Sequence, residues 1–133
     1  MKVVLDTNVL VSGIFFGKGP GRILELWFEK KFLAYATPLI LEEYLRVTRE
    51  FSQKNEELSR LWSTSLLSLC HILADPDKES YAVLSRDPKD DKFLLCALQA
   101  KADYLITGDE DLKILPDIFP FKVITPRQFL QLF

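Results

Sequence analysis

Sulfur and imidazole are scarce in this chain, with two cysteines, one methionine and one histidine among 133 residues. Cys70 and Cys96 stand far apart with no CxxC pair, and His71 is too solitary to complete a zinc tetrahedron with them. Both cysteines sit inside apolar runs, so buried free thiols are expected, and unpaired thiols suit a reducing cytoplasm. Long apolar runs are also missing. None approaches the length of about 18 residues that suggests a membrane span. The N-terminus enters an apolar strand directly, without the charged segment, apolar stretch and small-residue site of a secretory leader. A soluble cytoplasmic protein is the expectation. Neither charge dominates, since 17 basic residues face 19 acidic ones for a net charge of −2. A nucleic-acid partner would therefore need a local basic patch or a bound metal.

The remaining composition is that of an ordinary globular domain, 48% hydrophobic and 27% charged, and the length suits one domain over residues 1–133. Val3-Val4-Leu5 reads as a buried strand over residues 2–6, because a continuous apolar run suits a parallel sheet covered on both faces. A glycine-containing loop is expected next. Gly17-Lys18-Gly19-Pro20-Gly21 lacks the GK[ST] ending of a phosphate-binding loop and should lead into a helix over residues 22–31. Residues 32–36 form the next expected strand. Thr37-Pro38 pairs a hydroxyl N-cap with proline at the first helical position, predicting a helix to about Glu50. A second amphipathic helix follows over residues 55–69, with Leu58, Leu61, Trp62, Leu66 and Leu69 on its stripe. His71–Ala74 predicts a short strand, Asp87-Pro88 starts a helix to about Lys101, and Asp103–Thr107 and Val123-Ile124 are strands. Thr125-Pro126 starts the last helix. Strands alternating with helices predict an α/β domain with a mainly parallel sheet.

Four acids occupy strand ends or early helical turns: Asp6, Glu43, Asp91 and Asp109. In open parallel sheets the ligand cleft lies beyond the carboxyl ends of the strands, where the following helices also begin. All four can meet there, and converging carboxylates require a cation. Two choices between neighbours refine the set. Glu42 can pair with Arg46 one helical turn on, whereas Glu43 interrupts the inward stripe of Ile40 and Val47 and needs a partner. Asp90 suits the third helical position as a terminal acid, leaving Asp91 further in, on the side of Leu94, Leu95 and Leu98. Asp111 lies beyond the strand end and is held as an outer acid or a cap. Taken singly, each acid has an ordinary reading as a cap or a solvated charge. Lys18, Arg22, Arg86 and Lys89 lie in loops or helix starts able to border the cleft and touch phosphates.

At these residues the chain resembles the PIN-domain nucleases. Val3-Val4-Leu5-Asp6-Thr7-Asn8 is similar to the opening strand and DTN of that family, and Thr37–Leu45 resembles its second motif with Glu43 on the acidic position. Asp87–Leu94 and Ala102–Asp109 resemble the third and fourth motifs, so the likeness runs in order along nearly the whole chain. The resemblance implies a three-layer α/β/α domain with a central, mainly parallel sheet flanked by helices. It also implies a Mg²⁺- or Mn²⁺-dependent endoribonuclease similar to the toxin components of prokaryotic toxin–antitoxin modules. On that reading Asp6, Glu43, Asp91 and Asp109 are catalytic and hold one or two ions, with Asn8, Thr107 and Asp111 in support. A cognate antitoxin and a homodimer are implied as partners, to which Phe15, Phe16 and Trp62 would contribute if exposed, although core burial is the expectation for each.

Magnesium and manganese prefer oxygen ligands, and Mg²⁺ commonly takes one or two carboxylates plus waters. Asp6 and Asp91 are expected to coordinate directly, Glu43 and Asp109 directly or through water. His71, with apolar flanks, is expected to be structural. Three competing readings carry different signatures. A dehalogenase-like phosphatase would need a second acid where Asn8 stands, a receiver-type domain has no use for Glu43 within a helix, and a non-catalytic RNA- or partner-binding module would show no cleavage.

Overall fold

A computed structural model describes residues 1–53, 55–77, 91–108 and 119–133. The elements in chain order are β1 (Lys2–Leu5), α1 (Thr7–Phe15), α2 (Lys18–Phe28), β2 (Leu33–Ala36), α3 (Pro38–Ser52), α4 (Glu56–Leu69) and β3 (His71–Ile72). They continue with α5 (Asp91–Ala100), β4 (Tyr104–Ile106), β5 (Lys122–Ile124) and α6 (Pro126–Leu130). The strands form one five-stranded sheet in the order β3-β2-β1-β4-β5, and every neighbouring pair is parallel. The chain therefore builds outward from β1 to β3, returns, and adds β4 on the other side of β1. This places the switch in strand order between β1 and β4. A receiver-type domain would show the order 2-1-3-4-5, so that reading is set aside.

The three central strands are short and almost wholly apolar because both faces are covered. Val3, Val4, Leu5, Ala36, Leu105 and Ile106 are buried, and α5 packs across β1, β2 and β4 through Phe93, Leu94, Cys96 and Ala97. Phe129 of α6 closes one end of the core, with its ring edge-on to Phe32 at 5.3 Å and to Tyr104 at 6.2 Å. Contacts of this geometry contribute roughly 0.5–1.5 kcal/mol each beyond their burial. Two helices end in left-handed lysines, Lys30 at φ 59° and Lys101 at φ 54°. In each, the next amide reaches back five residues, Lys31 to the Leu26 carbonyl and Ala102 to the Ala97 carbonyl, turning the chain sharply into the following strand.

The stretch after β1 is helical rather than the expected loop, and α2 begins at Lys18 rather than near Arg22. Pro20 is accommodated because it lies in the first turn of α2, where its missing N–H has no intrahelical acceptor to satisfy. Gly13 permits the close crossing of α1 and α2: a Cβ there would lie 2.7 Å from the Pro20 carbonyl oxygen. Gly17 joins the helices at φ 70°, a conformation that favours glycine.

Two further expectations are corrected. Leu61 of α4 is 62% exposed, and Leu66 is the stripe residue that is fully buried, because α4 packs on α3 at the rim rather than over the sheet. Phe16 is 67% exposed rather than in the core and meets the exposed Phe51 edge-on, while Phe15 stacks on Phe51 and Trp62 is half-buried against Phe28. His71 stacks on Tyr35 at 5.2 Å, on the β2–β3 side of the sheet. The cysteines are free and buried, as expected. Among the described residues no helix is long and apolar enough to cross a membrane.

Candidate active site

Asp6 is delivered by the parallel pairing of β1. Its amide donates to the Ile106 carbonyl of β4 at 3.0 Å, so the backbone leaves the sheet at a fixed point beside the switch in strand order. Asp6 occupies the N-cap position of α1 with extended backbone, and its carbonyl accepts from the Val9 and Leu10 amides. Its side chain makes no cap hydrogen bond. The carboxylate instead accepts a 2.6 Å hydrogen bond at Oδ2 from the Thr107 hydroxyl. Both residues are buried, Asp6 at 6% exposure and Thr107 at 0%. The ordinary capping role is therefore not the one Asp6 plays. Thr107 is held in turn by its amide, which donates to the Ile124 carbonyl of β5 at 2.9 Å.

Glu43 comes from the second turn of α3. The helix starts where Thr37-Pro38 predicts, with the Thr37 hydroxyl accepting from the Ile40 amide. Glu42 is exposed and Glu43 half-buried, in line with the choice between them. Arg46 differs from expectation: it pairs with Glu50 at 3.1 Å, not with Glu42. Both Glu43 oxygens are engaged. Oε2 accepts from the Thr7 hydroxyl of α1, and Oε1 takes the Lys92 ammonium of α5 at 2.7 Å. One residue further on, the buried Tyr44 hydroxyl donates to the Leu5 carbonyl and pins α3 to the end of β1. Burial raises the Tyr44 pKa well above the ordinary phenol value, and the carboxylates of Asp6 and Glu43 push it the same way. Tyr44 therefore stays a neutral donor.

Asp91 opens the described part of α5 and is only 2% exposed. Its neighbour Lys92 holds Glu43, and Glu43 holds Thr7, the neighbour of Asp6. A single carboxylate thus ties the residue after one aspartate to the residue after the other, bringing the Asp6, Glu43 and Asp91 stations to one edge of the sheet. Sequence reasoning missed Thr7, Tyr44 and Lys92.

The remaining candidates are less engaged or fall elsewhere. Asn8 is exposed in the first turn of α1, and Lys18 is exposed at the start of α2. Arg22 is committed within its own helix, to Glu25 at 2.9 Å and Glu29 at 3.4 Å. Arg86, Lys89, Asp109 and Asp111 lie outside the described residues. Asp90 does too, so only the burial of Asp91 speaks to the choice between them. Among the described residues, no group of three acidic, cysteine or histidine side chains is placed to hold an ion by itself. Asp6 and Asp91 are buried carboxylates, and Thr107 sets a hydroxyl beside the first; oxygen donors of this kind suit Mg²⁺ or Mn²⁺ better than softer metals.

The chain is similar to known proteins along nearly its whole length. The uncharacterized protein MJ1680 of Methanocaldococcus jannaschii is 34% identical, and the match spans 100% of this chain and 92% of that protein. Among solved structures, a chain of VapBC2 from Rickettsia felis, crystallised bound to a DNA fragment from its promoter, superposes with a TM-score of 0.68 at 19% identity. That match covers 94% of this chain and 98% of the other. PAE2754 from Pyrobaculum aerophilum superposes with a TM-score of 0.65 at 13% identity, covering 98% of this chain and 88% of the other. Likeness at such low identity establishes the fold. The family model for the PIN domain matches residues 2–111, which takes in every element that carries the acids, and with it the chain belongs to the PIN-domain family.

Proposed function

We propose that this protein is a metal-dependent endoribonuclease that hydrolyses RNA phosphodiester bonds and serves as the toxin of a toxin–antitoxin pair. The observation that carries the reading is the buried Thr107–Asp6 hydrogen bond at the β1–β4 switch, with Asp91 buried at the start of α5. Burying a carboxylate is costly unless hydrogen bonds or a cation compensate it. Asp6 and Asp91 are assigned as the direct carboxylate ligands of Mg²⁺ or Mn²⁺, with Asp109 as a further ligand and Asp111 outside it. Bound there, the ion would supply Lewis acidity, lowering the pKa of a bound water and offsetting charge that develops on the phosphate. Thr107 fixes one Asp6 oxygen so that the other faces a defined direction. Thr7 and Lys92 hold both Glu43 oxygens and so fix that carboxylate as a whole, and Asn8, exposed at the rim, is assigned to orient water or phosphate. Lys18, Arg86 and Lys89 are the candidate phosphate contacts.

The fold shared with VapBC2 supports an antitoxin partner that covers this edge. A homodimer and a cytoplasmic location belong to the same proposal. The test is cleavage of a short single-stranded RNA by purified protein with added Mn²⁺, compared with EDTA and with Asp6→Asn and Asp91→Asn variants. Cleavage should require Mn²⁺ and fall at least about a hundredfold in each variant while circular dichroism stays unchanged. Cleavage that persists in both folded variants would sink the assignment.

A further inference from the structure

The Lys92–Glu43 pair has a role that the acids alone do not suggest. Its 2.7 Å contact lies in partial burial, with the Lys92 side chain 17% and the Glu43 side chain 22% exposed, so water screens it less than the surface pairs of α2 and α3. The other Glu43 oxygen accepts from Thr7. With one oxygen on an ammonium and the other on a hydroxyl, Glu43 already has its charge offset by a cation of the protein's own.

We propose that Lys92 is the resident counter-cation of this site and a positioning residue for the reaction. It keeps Glu43 out of the divalent ion's coordination and leaves the aspartates to hold that ion. The inference rests on the metalloribonuclease reading above and refines the place of Glu43 within it. Lys92 and the ion compete for the same carboxylate, so each weakens the other's hold by the same factor. Removing the ammonium frees Glu43 and makes the cluster one charge more negative. Divalent affinity should therefore rise, although RNA turnover should fall because Glu43 no longer ties α5 to α1.

The experiment is a calorimetric Mn²⁺ titration of the full chain without RNA, for wild type, Lys92→Met and Lys92→Arg, followed by RNA cleavage kinetics. Lys92→Met should bind Mn²⁺ about tenfold more tightly. It should also lose about ten- to a hundredfold in kcat with a smaller change in KM. Lys92→Arg keeps the charge and should stay near wild type in Mn²⁺ affinity. A folded Lys92→Met protein with equal or weaker Mn²⁺ affinity overturns the proposal, because a merely structural lysine would loosen the site. If that variant does not fold, the wild-type protein decides. The Lys92 ammonium signal in a nitrogen-15 NMR spectrum should remain protected from exchange when Mg²⁺ saturates the site, and its loss on adding Mg²⁺ overturns the proposal. Failure of the underlying reading looks different: wild type binds no Mn²⁺, or Asp6→Asn with Asp91→Asn binds it unchanged, and then both inferences fall together.

Discussion

Replacing Thr107 with valine removes one hydroxyl and keeps the branched shape, so it isolates the hydrogen bond that holds Asp6. The bond is short, 2.6 Å, its acceptor is a carboxylate, and both partners are buried. Hydrogen bonds to charged groups contribute about 1.5–3 kcal/mol, and water cannot readily replace the donor at a buried site. The expected loss is therefore about 1.5–3 kcal/mol, or about 5–10 °C in Tm for a domain of this size. Urea unfolding in EDTA measures it with no cation bound. A double-mutant cycle with Asp6→Asn separates the bond from other effects of the methyl group. In the Asp6→Asn background the Thr107 substitution should cost less than about 1 kcal/mol, giving a coupling of at least about 0.5 kcal/mol. A Thr107→Val protein within about 0.5 kcal/mol of wild type, or a coupling near zero, would refute the claim that this hydroxyl sets the Asp6 carboxylate.

Two other perturbations test the scaffold. Gly13→Ala places a Cβ 2.7 Å from the Pro20 carbonyl oxygen and 2.8 Å from Leu24, and should cost about 1–3 kcal/mol by forcing α1 and α2 apart. Gly21→Ala, whose nearest contact is 3.7 Å, should instead gain up to about 1 kcal/mol, and thermal melts of the two variants should move in opposite directions. Burial pushes the Cys70 and Cys96 thiols up from 9.0 to about 12. Below pH 9 the thiols are protonated in both states and their contribution is complete. Above it the unfolded chain ionises first, so stability falls as pH rises toward 12, by at most about 1.4 kcal/mol per pH unit for each thiol. Urea unfolding between about pH 8 and 11 should show a shallower decline in a Cys70→Ala, Cys96→Ala protein, and equal slopes would contradict the burial argument.

Much of the fold was legible because its punctuation is chemical. Thr37-Pro38 and Thr125-Pro126 each start a helix where expected, the second with a full capping box through Gln128. The apolar runs of β1 and β4 become buried parallel strands. The first helix was not legible. Val9, Leu10 and Val11 are consecutive apolar residues without helical spacing, Gly13 weakens the pattern, and the Asp6 side chain supplies no cap. What decides α1 is its packing against α2 and α3, a tertiary effect. The choice of Glu43 over Glu42 could be read from the stripe it interrupts, and its half-burial agrees. Its partners could not be read, because Thr7 and Lys92 are 36 and 49 residues away in sequence.

Those distant partners also explain how the fold can gather its acids at all. Asp6 and Asp91 are buried, and Glu43 is half-buried at the same edge of the sheet. Each would be expensive there as an unsatisfied charge. For Asp6 the compensation comes from across the strand-order switch, where Thr107 of the β4 end meets the β1 end. For Glu43 it comes from the residues that immediately follow the two aspartates. Thr7 and Lys92 are one peptide bond from Asp6 and Asp91, so the Thr7–Glu43–Lys92 contacts link α1, α3 and α5 beside the two aspartates. On the proposed metalloribonuclease reading, carboxylates anchored this way hold their geometry before the divalent ion arrives, and preorganisation of that kind is what catalysis by fixed charges requires.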